Sequence, residues 1–505
     1  MPFAFHCSVR HFVIAFVLLV TRVAFAGAGP TTVVVIGATG DLTSRLLMPS
    51  FVQLSEEGEL PKGARIVGMA LPSKAFSGDD GFRSWMKTRL ATMGGNVEPA
   101  AWDRLSRNVN FHEGDLADAG SFTALKSKLT ALDQADREAG AIGASRRVVF
   151  YFAIAPKLIG TTLDNLAKAG LIGKHLANDV VLEKPIGTDS TTAREINDKL
   201  ESVIGEQHVY RMDHYLGKTT VRNLHHLRFE DPRFKSIWNK KFIERIEVAA
   251  VEKLGVEGRG GYYEQAGATS DMVQSHLLQV VAMATMDKPK SQDAADLRKS
   301  KIALLKSIKP ANMNHLERDV VRGQYTGNDE MPGYLGEQAV SPSSSTETFV
   351  AMKLNVGTRA FKNVPINVTT GKALGEKQSY VKVHFKRLPT ELAIELGRDP
   401  AEHATLTLGI DPTPSLSMDG QKMAFDRGKS PQLSPYANQL RSVLASDPSL
   451  FLHRDESEAS WAFIDPIRAL WAQAGAKGLK KYRAGSTGPA AAQRVTRPVT
   501  SRAAR

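Results

Sequence analysis

One short apolar run, followed at once by a glycine turn and an amphipathic helix, constrains this chain more than any other feature. Residues 31–36 read Thr-Thr-Val-Val-Val-Ile, a continuous β-branched run of the kind found in strands buried on both faces. Gly37 and Gly40 follow, and from Asp41 to Leu54 the apolar residues recur at helical spacing. A strand, a tight turn and a helix in this order predict the first unit of a parallel sheet.

The same alternation of strands and helices continues to about residue 213. Candidate strands lie at 65–68, 148–154, 180–182 and 209–212, and candidate helices at 82–93, 119–132 and 191–204. Beyond them, alternating stretches at 243–251, 346–354 and 380–385 favour an antiparallel sheet. We therefore predict an α/β N-terminal doubly wound (Rossmann-like) domain plus an α+β domain with a large, mainly antiparallel sheet.

The length of the chain also predicts more than one domain, because 505 residues exceed the size at which a single core keeps growing. We predict a leader-like apolar segment at 1–28, a dinucleotide-binding domain at 29–213, a substrate and oligomerisation domain at 214–475, and a basic disordered tail at 476–505. The tail is assigned because Lys and Arg recur there among Ala, Gly, Thr and Pro without apolar periodicity.

The N-terminal segment has the order of a secretory leader, with Arg10, an apolar run at 12–20 and small residues at 24–27. Arg22 weakens this interpretation, and the run is shorter than the roughly 20 apolar residues of a membrane span. Export, a loose anchor and a start codon placed too far upstream all stay open. We expect a cytoplasmic location, with an exported or periplasmic one as the alternative.

The net charge of +12 suits nucleic acid, an anionic membrane or a phosphorylated small substrate. The sequence has no zinc-finger spacing, RNA-binding aromatic motif or basic zipper, so we expect no nucleic-acid partner. The only cysteine, Cys7, excludes an internal disulfide and a cysteine-rich metal site. We expect no metal, and no membrane contact beyond the leader-like segment.

A glycine turn between a buried strand and a helix lets backbone N–H groups approach a pyrophosphate, and the helix N-terminus adds partial positive charge. Gly37 and Gly40 stand where this chemistry needs them, but Thr43 takes the place of the third small residue of the full fingerprint. Alone, the turn equally fits a tight strand–helix connection that binds nothing.

A second cluster follows the candidate strand at 209–212. Asp213, His214, Tyr215 and Lys218 place an acid, a base, a phenol and a cation within six residues. Loops at the carboxyl ends of parallel strands are where such sheets hold ligands. His276, by contrast, lies among apolar residues, and its local sequence favours a hydrogen-bonded core histidine.

The glycine turn at 37–49 and seven further stretches resemble, in order, the motifs of the glucose-6-phosphate dehydrogenase family. The seven are 183–187, 211–218, 255–263, 271–279, 320–325, 371–374 and 461–466. The second, Arg-Met-Asp-His-Tyr-Leu-Gly-Lys, is highly specific. Thr43, Ser275 and Phe361 depart from the family, which usually has Ala, Asn and Trp at these places.

The resemblance implies an enzyme that passes a hydride from C1 of glucose 6-phosphate to a dinucleotide. The product would be 6-phosphoglucono-1,5-lactone, at the first step of the pentose phosphate pathway. By resemblance, His276 is the catalytic base and Asp213 its partner. The implied substrate-binding residues are Lys184, His214, Tyr215, Lys218, Glu252, Asp271, Lys372 and Lys377. The implied cofactor-binding residues are Gly37, Thr39, Gly40, Asp41, Leu42, Arg45, Lys74 and Lys184. The family also implies a homodimer or homotetramer.

NADP is the expected cofactor, with NAD as the alternative, because one family residue is replaced. An Arg that meets the 2′-phosphate of NADP usually follows the second strand, and Leu71 stands there in this chain. Ser73, Lys74 and Arg45 are the candidates to replace it.

Two other hypotheses stay open at this point. One is an exported or lumenal hexose-6-phosphate dehydrogenase, although that branch carries a further lactonase domain for which this sequence has no residues left. The other is a catalytically dead nucleotide-binding scaffold. A scaffold has no physical need for a base such as His276 and its partner Asp213.

Overall fold

The computed structural model describes residues 29–95, 97–143, 146–310, 316–424 and 432–496. The leader-like segment at 1–28 lies outside these residues, and the expected location of the protein stays a prediction. Within the described ranges, no helix is both long and apolar enough to cross a bilayer.

Six parallel strands form the first sheet. They are β1 (Thr31–Ile36), β2 (Arg65–Ala70), β3 (Val109–Glu113), β4 (Arg147–Phe152), β5 (Asp179–Leu182) and β6 (Val209–Arg211). Their order across the sheet is β3-β2-β1-β4-β5-β6, so the strand order reverses between β1 and β4. Every neighbouring pair is parallel, which confirms the doubly wound domain.

Helices cover this sheet: α1 (Met48–Glu56), α2 (Gly78–Met93), α3 (Pro99–Ser106), α4 (Ala119–Glu138), α5 (Ile159–Lys168) and α6 (Ser190–Val203). All six residues of β1 are buried. Val33 and Val35 belong to one hydrophobic cluster, whereas Val34 and Ile36 belong to another. Because successive side chains point to opposite faces, both faces of β1 are covered, which explains its uninterrupted β-branched sequence.

A ten-stranded sheet forms the core of the second domain. Its strands are β7 (Ile243–Val251), β8 (Lys309–Pro310), β9 (Val320–Thr326), β10 (Phe349–Asn355), β11 (Ile366–Gly371), β12 (Gln378–Phe385), β13 (Ala404–Asp411), β14 (Ser415–Met418), β15 (Gln421–Lys422) and β16 (Lys480–Arg483). The order is β15-β14-β13-β12-β7-β11-β10-β9-β16, and β8 pairs with β10. Only the β7–β11 and β9–β16 pairs are parallel among the described strands of this sheet, so the prediction of a mainly antiparallel sheet is confirmed.

The helices of the second half are α7 (Thr219–Phe229), α8 (Gly260–Ala268), α9 (Leu278–Thr285), α10 (Ala294–Ser307), α11 (Leu316–Asp319), α12 (Thr390–Glu395), α13 (Pro435–Leu444), α14 (Arg454–Ala474) and α15 (Gln493–Thr496). Helix α13 packs back onto the first domain, since Tyr436, Leu440 and Val443 share a buried cluster with Val33 of β1. The two domains are therefore joined by packing as well as by the chain.

Within the described ranges, two segments have the wider π-helical turn, namely Thr43–Leu47 and Thr269–Leu277. The first lies just before α1, within the helix predicted at 41–54. The second runs between α8 and α9, and all nine of its residues are buried. Such turns often mark functional sites, because they aim side chains that a regular helix would direct elsewhere.

The prediction of a disordered tail is wrong for residues 480–496. Strand β16 pairs in parallel with β9, and its Tyr482 is buried, with a hydroxyl that donates to Lys372 O at 2.8 Å. A strand at the edge of an existing sheet needs backbone pairing and a few buried side chains, not an amphipathic pattern, so composition alone misled here. Residues 497–505 lie outside the described part of the chain.

Candidate active site

The turn after β1 brings the backbone very close to the end of β4. Gly37 has a φ of +91°, and a Cβ at this position would lie 2.3 Å from Ala153 O, so only glycine fits. Gly40 N donates to Gly37 O at 3.0 Å, and Ser44 N donates to Gly40 O at 3.2 Å. The helix thus begins next to the point where the strand order reverses. Its first amides have no intrahelical acceptor, which fits a pyrophosphate.

Thr43, the departure from the three-glycine fingerprint, is accommodated within this turn. It is fully buried, and its Oγ1 donates to Gly37 O at 3.1 Å. The hydroxyl therefore stabilises the turn through this hydrogen bond. Thr43 gives no reason to reject a dinucleotide site.

The candidate cofactor residues Thr39, Asp41, Leu42 and Arg45 lie on the turn or on the helix that follows it. Arg45 forms an exposed ion pair with Asp41, Nη1 to Oδ2 at 3.3 Å. Beyond the end of β2, Leu71 is 60% exposed, and Lys74 is exposed nearby in sequence. The surface past the end of β2 therefore carries the apolar side chain of Leu71, with the cation of Lys74 three residues further along the chain.

A buried acid–base pair lies at the carboxyl end of β6. His276 Nδ1 donates to Asp213 Oδ1 at 2.5 Å, and both side chains are at most 1% exposed. The other ring nitrogen, Nε2, is buried and has no hydrogen-bond partner among the described residues. Burial lowers the pKa of His276, although Asp213 acts in the opposite direction. A neutral ring with Nδ1–H on the carboxylate leaves Nε2 as a proton acceptor.

Backbone and aromatic contacts fix the orientation of this pair. Tyr215 N donates to Asp213 Oδ1 at 3.0 Å, and Gln439 of α13 donates to Asp213 O at 2.9 Å. The ring of Tyr215 stacks on that of His276 with centroids 4.7 Å apart, and the His214 ring meets it edge-on at 4.5 Å. The imidazole therefore has little freedom to rotate.

Asp213, His214 and His276 also place possible metal-ligand atoms within 4.8 Å of one another. However, Asp213 and His276 already bind each other through their short hydrogen bond. Proton transfer uses that bond, so we interpret the group as an acid–base site.

Three lysines near this pair each contact a carboxylate. The pairs are Lys184 with Asp271 (Nζ to Oδ1, 2.8 Å), Lys372 with Glu252 (Nζ to Oε1, 2.7 Å) and Lys218 with Asp411 (Nζ to Oδ2). The structure thus brings together seven of the eight predicted substrate residues. They are Lys184, His214, Tyr215, Lys218, Glu252, Asp271 and Lys372. The eighth, Lys377, is exposed between β11 and β12, and no hydrogen bond or ion pair joins it to this cluster in the described part of the chain.

The Lys184–Asp271 pair connects the two domains, because Lys184 follows β5 and Asp271 lies in the π-helical segment. Lys184 Nζ also donates to Asp271 O at 3.1 Å, and the Tyr262 hydroxyl donates to the Asp271 carboxylate at 3.2 Å. Burial disfavours both charges, yet their attraction outweighs it. The pKa of Lys184 is raised and the pKa of Asp271 is lowered, each beyond its usual range.

Lys218 lies against the ring of Tyr215, and Tyr215 in turn contacts Ser379. Its ammonium lies 4.4 Å from the centroid of the Tyr215 ring, and the Tyr215 hydroxyl is 3.3 Å from Ser379 Oγ. Burial lowers the pKa of His214 well below its usual value, so this ring is neutral near neutral pH. Sequence reasoning missed Asp411 and Ser379, since neither lies in a recognised motif.

A second, half-buried carboxyl belongs to Glu183, the residue before Lys184. The Tyr151 hydroxyl donates to Glu183, and burial raises the pKa of Glu183 to about 7. Tyr436 of α13 stands beside the same carboxylate and against His214, with ring centroids 6.0 Å apart. Glu183 belongs to a motif stretch, but its sequence gave no sign of this environment.

Fold and site together define the class of protein. A glycine turn at the switch point of a doubly wound sheet, with a buried histidine–aspartate pair at the end of its last strand, is the arrangement of a dinucleotide-binding oxidoreductase.

Comparison with known proteins identifies the family. The family model for the NAD binding domain of glucose-6-phosphate dehydrogenase matches residues 34–223, and the model for its C-terminal domain matches residues 225–502. The chain therefore belongs to the glucose-6-phosphate dehydrogenase family.

Curated relatives and solved structures match nearly the whole chain. Glucose-6-phosphate 1-dehydrogenase of Mycolicibacterium smegmatis is 34% identical over 484 residues, covering 91% of this chain and 94% of the relative. The Gluconobacter oxydans protein of that name is 35% identical over 492 residues, covering 92% and 96%. A solved glucose-6-phosphate dehydrogenase in complex with its substrate glucose-6-phosphate has a TM-score of 0.80 at 26% identity, covering 92% and 96%. The Mycobacterium avium enzyme has a TM-score of 0.76 at 28% identity, covering 93% and 97%.

The environment of Glu183 predicts a pH-dependent difference in stability between the wild type and Glu183→Gln. Burial raises the pKa of Glu183 from 4.5 to about 7, so the folded protein binds this proton more tightly than the unfolded chain. The wild type therefore loses stability as pH rises through that window, whereas Gln keeps an acceptor for Tyr151 without a charge.

We expect the two proteins to differ by a constant amount below pH 4.5, and Glu183→Gln to gain relative stability up to about pH 7 and then level off. Thermal unfolding midpoints of both proteins across this range provide the measurement. A difference that does not change with pH would contradict the raised pKa.

Proposed function

We propose that this chain is a glucose-6-phosphate dehydrogenase that oxidises C1 of glucose 6-phosphate to 6-phosphoglucono-1,5-lactone. The observation that carries the proposal is the buried His276–Asp213 pair, whose Nε2 has no partner among the described residues. The pair lies where the dinucleotide-binding sheet meets the lysine–carboxylate cluster. Family membership and the relatives' names agree with this activity.

His276 acts as the base in this proposal. Oxidation of the sugar requires removal of the C1 hydroxyl proton as the hydride departs, and the nicotinamide, when bound, accepts that hydride. Burial keeps the ring neutral, so Nε2 takes the proton. Asp213 then stabilises the imidazolium through the bond to Nδ1 and keeps the ring from turning.

The substrate phosphate is assigned to His214, Tyr215 and Lys218. A dianion is costly to desolvate without several donors, and these side chains provide them within one turn after β6. Because Lys218 is paired with Asp411, the phosphate has to compete with this carboxylate for the ammonium. The role of Lys377 rests on the family resemblance alone.

The sugar hydroxyls are assigned to the remaining ion pairs. Lys184 and Lys372 provide donors, while Asp271 and Glu252 provide acceptors. Each hydroxyl is both a donor and an acceptor, so paired groups of opposite charge suit it better than cations alone.

For the dinucleotide, the turn at Gly37 and Gly40 and the helix N-terminus that follows hold the pyrophosphate in this proposal. NADP is the proposed cofactor, with NAD as the alternative. Leu71 occupies the place of the family's arginine, so Arg45 and Lys74 are the cations left to meet a 2′-phosphate. Both of these cations are exposed, and ion pairs formed at an exposed site are weak, which favours weak discrimination between the two cofactors.

We also propose a homodimer or homotetramer built through the ten-stranded sheet. Its outer face carries half-buried charged groups, among them Arg245 and Glu247 with Nε and Oε1 3.2 Å apart. Light scattering on the purified protein measures the mass of the assembly, and a monomer would reject this proposal.

A spectrophotometric assay of nicotinamide reduction, with glucose 6-phosphate and either NADP or NAD, tests the proposed reaction directly. We expect turnover with at least one cofactor. A folded preparation that reduces neither would overturn the proposed function and favour a nucleotide-binding scaffold.

His276→Asn should reduce turnover by at least about 10²-fold, the lower end for general acid–base catalysis, with the KM for glucose 6-phosphate within a small factor. Asn keeps hydrogen-bonding capacity but cannot accept the proton. His208→Asn is a matched control, because His208 also pairs with an aspartate, Nδ1 to Asp179 Oδ1 at 2.8 Å, away from the proposed site. Near-normal turnover of His276→Asn would exclude this residue as the base.

Lys218→Ala should raise the KM for glucose 6-phosphate by roughly 10-fold to 10²-fold, as expected for the loss of a charge-assisted hydrogen bond. Affinity for the dinucleotide should hardly change, because the removed cation faces the substrate phosphate. Lys382→Ala, on the large sheet, serves as the control. Equal weakening of both ligands by Lys218→Ala would mark Lys218 as structural.

Leu71→Arg should increase the ratio of kcat/KM for NADP to that for NAD by about 10-fold or more, because a guanidinium forms bidentate contacts with a phosphate. Leu71→Gln, which has similar length and no charge, should leave the ratio nearly unchanged. If the wild type already prefers NADP strongly and Leu71→Arg has no effect, Arg45 or Lys74 holds the 2′-phosphate instead.

A further inference from the structure

Glu347 is a buried carboxylate outside every motif used so far. It precedes β10 by two residues and is 8% exposed. Charged groups are seldom buried this deeply without a partner, because desolvation of the charge is costly. Its contacts therefore indicate what the residue does.

The helix that leads to His276 is interrupted at Gly267. Gly267 has a φ of 59° and a ψ of 175°, which separates α8 from the π-helical segment Thr269–Leu277. A new helical segment that starts after such a break exposes amides without intrahelical acceptors. Ala268, the residue at the N-cap position of this segment, provides no side-chain cap.

Glu347 provides the missing acceptors from a different part of the chain. Thr269 N donates to Glu347 Oε1 at 3.0 Å, and Ala268 N donates to the backbone oxygen of Glu347 at 2.9 Å. The contact is tight, since a Cβ on Gly267 would lie 2.5 Å from Glu347 Oε1. The carboxylate thus fills the space that the break leaves.

Thr348, the residue after Glu347, forms backbone hydrogen bonds with Lys372 of the site and with the large sheet. Lys372 N donates to Thr348 O at 2.9 Å, and Thr348 N donates to Gly323 O at 2.7 Å in β9. Glu347 is therefore held by the large sheet, and it can serve as a fixed anchor for the segment that carries Asp271 and His276.

We propose that Glu347 is a positioning residue, which anchors the start of the Thr269–Leu277 segment and thereby sets His276 against Asp213. The proposal rests on the proposed role of His276 as the base. A displacement of about 1 Å at a catalytic group costs on the order of 10²-fold in rate, so the anchor matters for turnover.

The test compares Glu347→Ala with Glu347→Gln. Gln preserves the length and an acceptor for Thr269 N, and it removes only the charge, which burial disfavours, as the raised pKa of Glu347 indicates. Glu347→Ala should lower kcat by about 10-fold or more, with the KM for the dinucleotide within about 2-fold. Glu347→Gln should stay near the wild type.

Hydrogen–deuterium exchange measured by mass spectrometry gives a second readout that needs no turnover. In Glu347→Ala, exchange across residues 268–277 should become about 5-fold faster or more, as expected for a lost cap, and Glu347→Gln should restore protection. Asp118→Ala is the matched control, because Asp118 caps α4 in the other domain. It should loosen α4 alone and leave kcat unchanged.

Two results would overturn the proposal: unchanged exchange in Glu347→Ala, or faster exchange with an unchanged kcat. Should Glu347→Ala fail to fold, Glu347→Asp withdraws the acceptor by one methylene and takes its place in both measurements. A wild type without activity would count against the proposed function instead, and the exchange comparison would still decide whether Glu347 anchors the segment.

Discussion

The hydrogen bond between Asp213 and His276 is the contact on which the rest of the site depends. Its two members come from different domains, and both are almost fully buried, so neither finds a substitute partner in water. The 2.5 Å separation requires β6 and the Thr269–Leu277 segment to be placed accurately relative to each other. Packing between the domains, which includes the hydrogen bond from Gln439 of α13 to Asp213 O, thus determines the geometry of this pair.

The strands of the first sheet could be predicted where their apolar residues follow one regular pattern. The strand at 31–36 is buried on both faces and reads as an unbroken β-branched run, whereas β3 was missed because Asn110 and His112 interrupt its apolar pattern. Both are buried and hydrogen-bonded, Asn110 Nδ2 to Asp79 Oδ2 at 2.6 Å and His112 Nε2 to Ser121 O at 2.8 Å. Tertiary partners that satisfy polar groups cannot be read from local sequence.

The same reasoning explains which parts of the site were accessible from sequence. His276 resembles a core histidine locally, and only the ordered family motifs singled it out, since its partner is 63 residues away along the chain. Asp411 and Glu347 lie in no motif, and their significance comes from contacts with Lys218 and Thr269. The spacing of apolar residues predicts whether a segment is a helix or a strand. Ion pairs between distant elements, in contrast, depend on the tertiary structure.

Charge compensation explains why Lys184, Lys218 and Lys372 are each paired with a carboxylate. An unpaired ammonium in a buried site would lose its charge, because desolvation lowers its pKa. Asp271 reverses this for Lys184, whose pKa is raised despite burial. Lys184 therefore keeps its charge without a bound substrate, and in the proposed function a phosphate at Lys218 would take the place of the partly exposed Asp411. For the proposed substrate, a dianion, the site would thus be preorganised without carrying a large uncompensated charge in its interior.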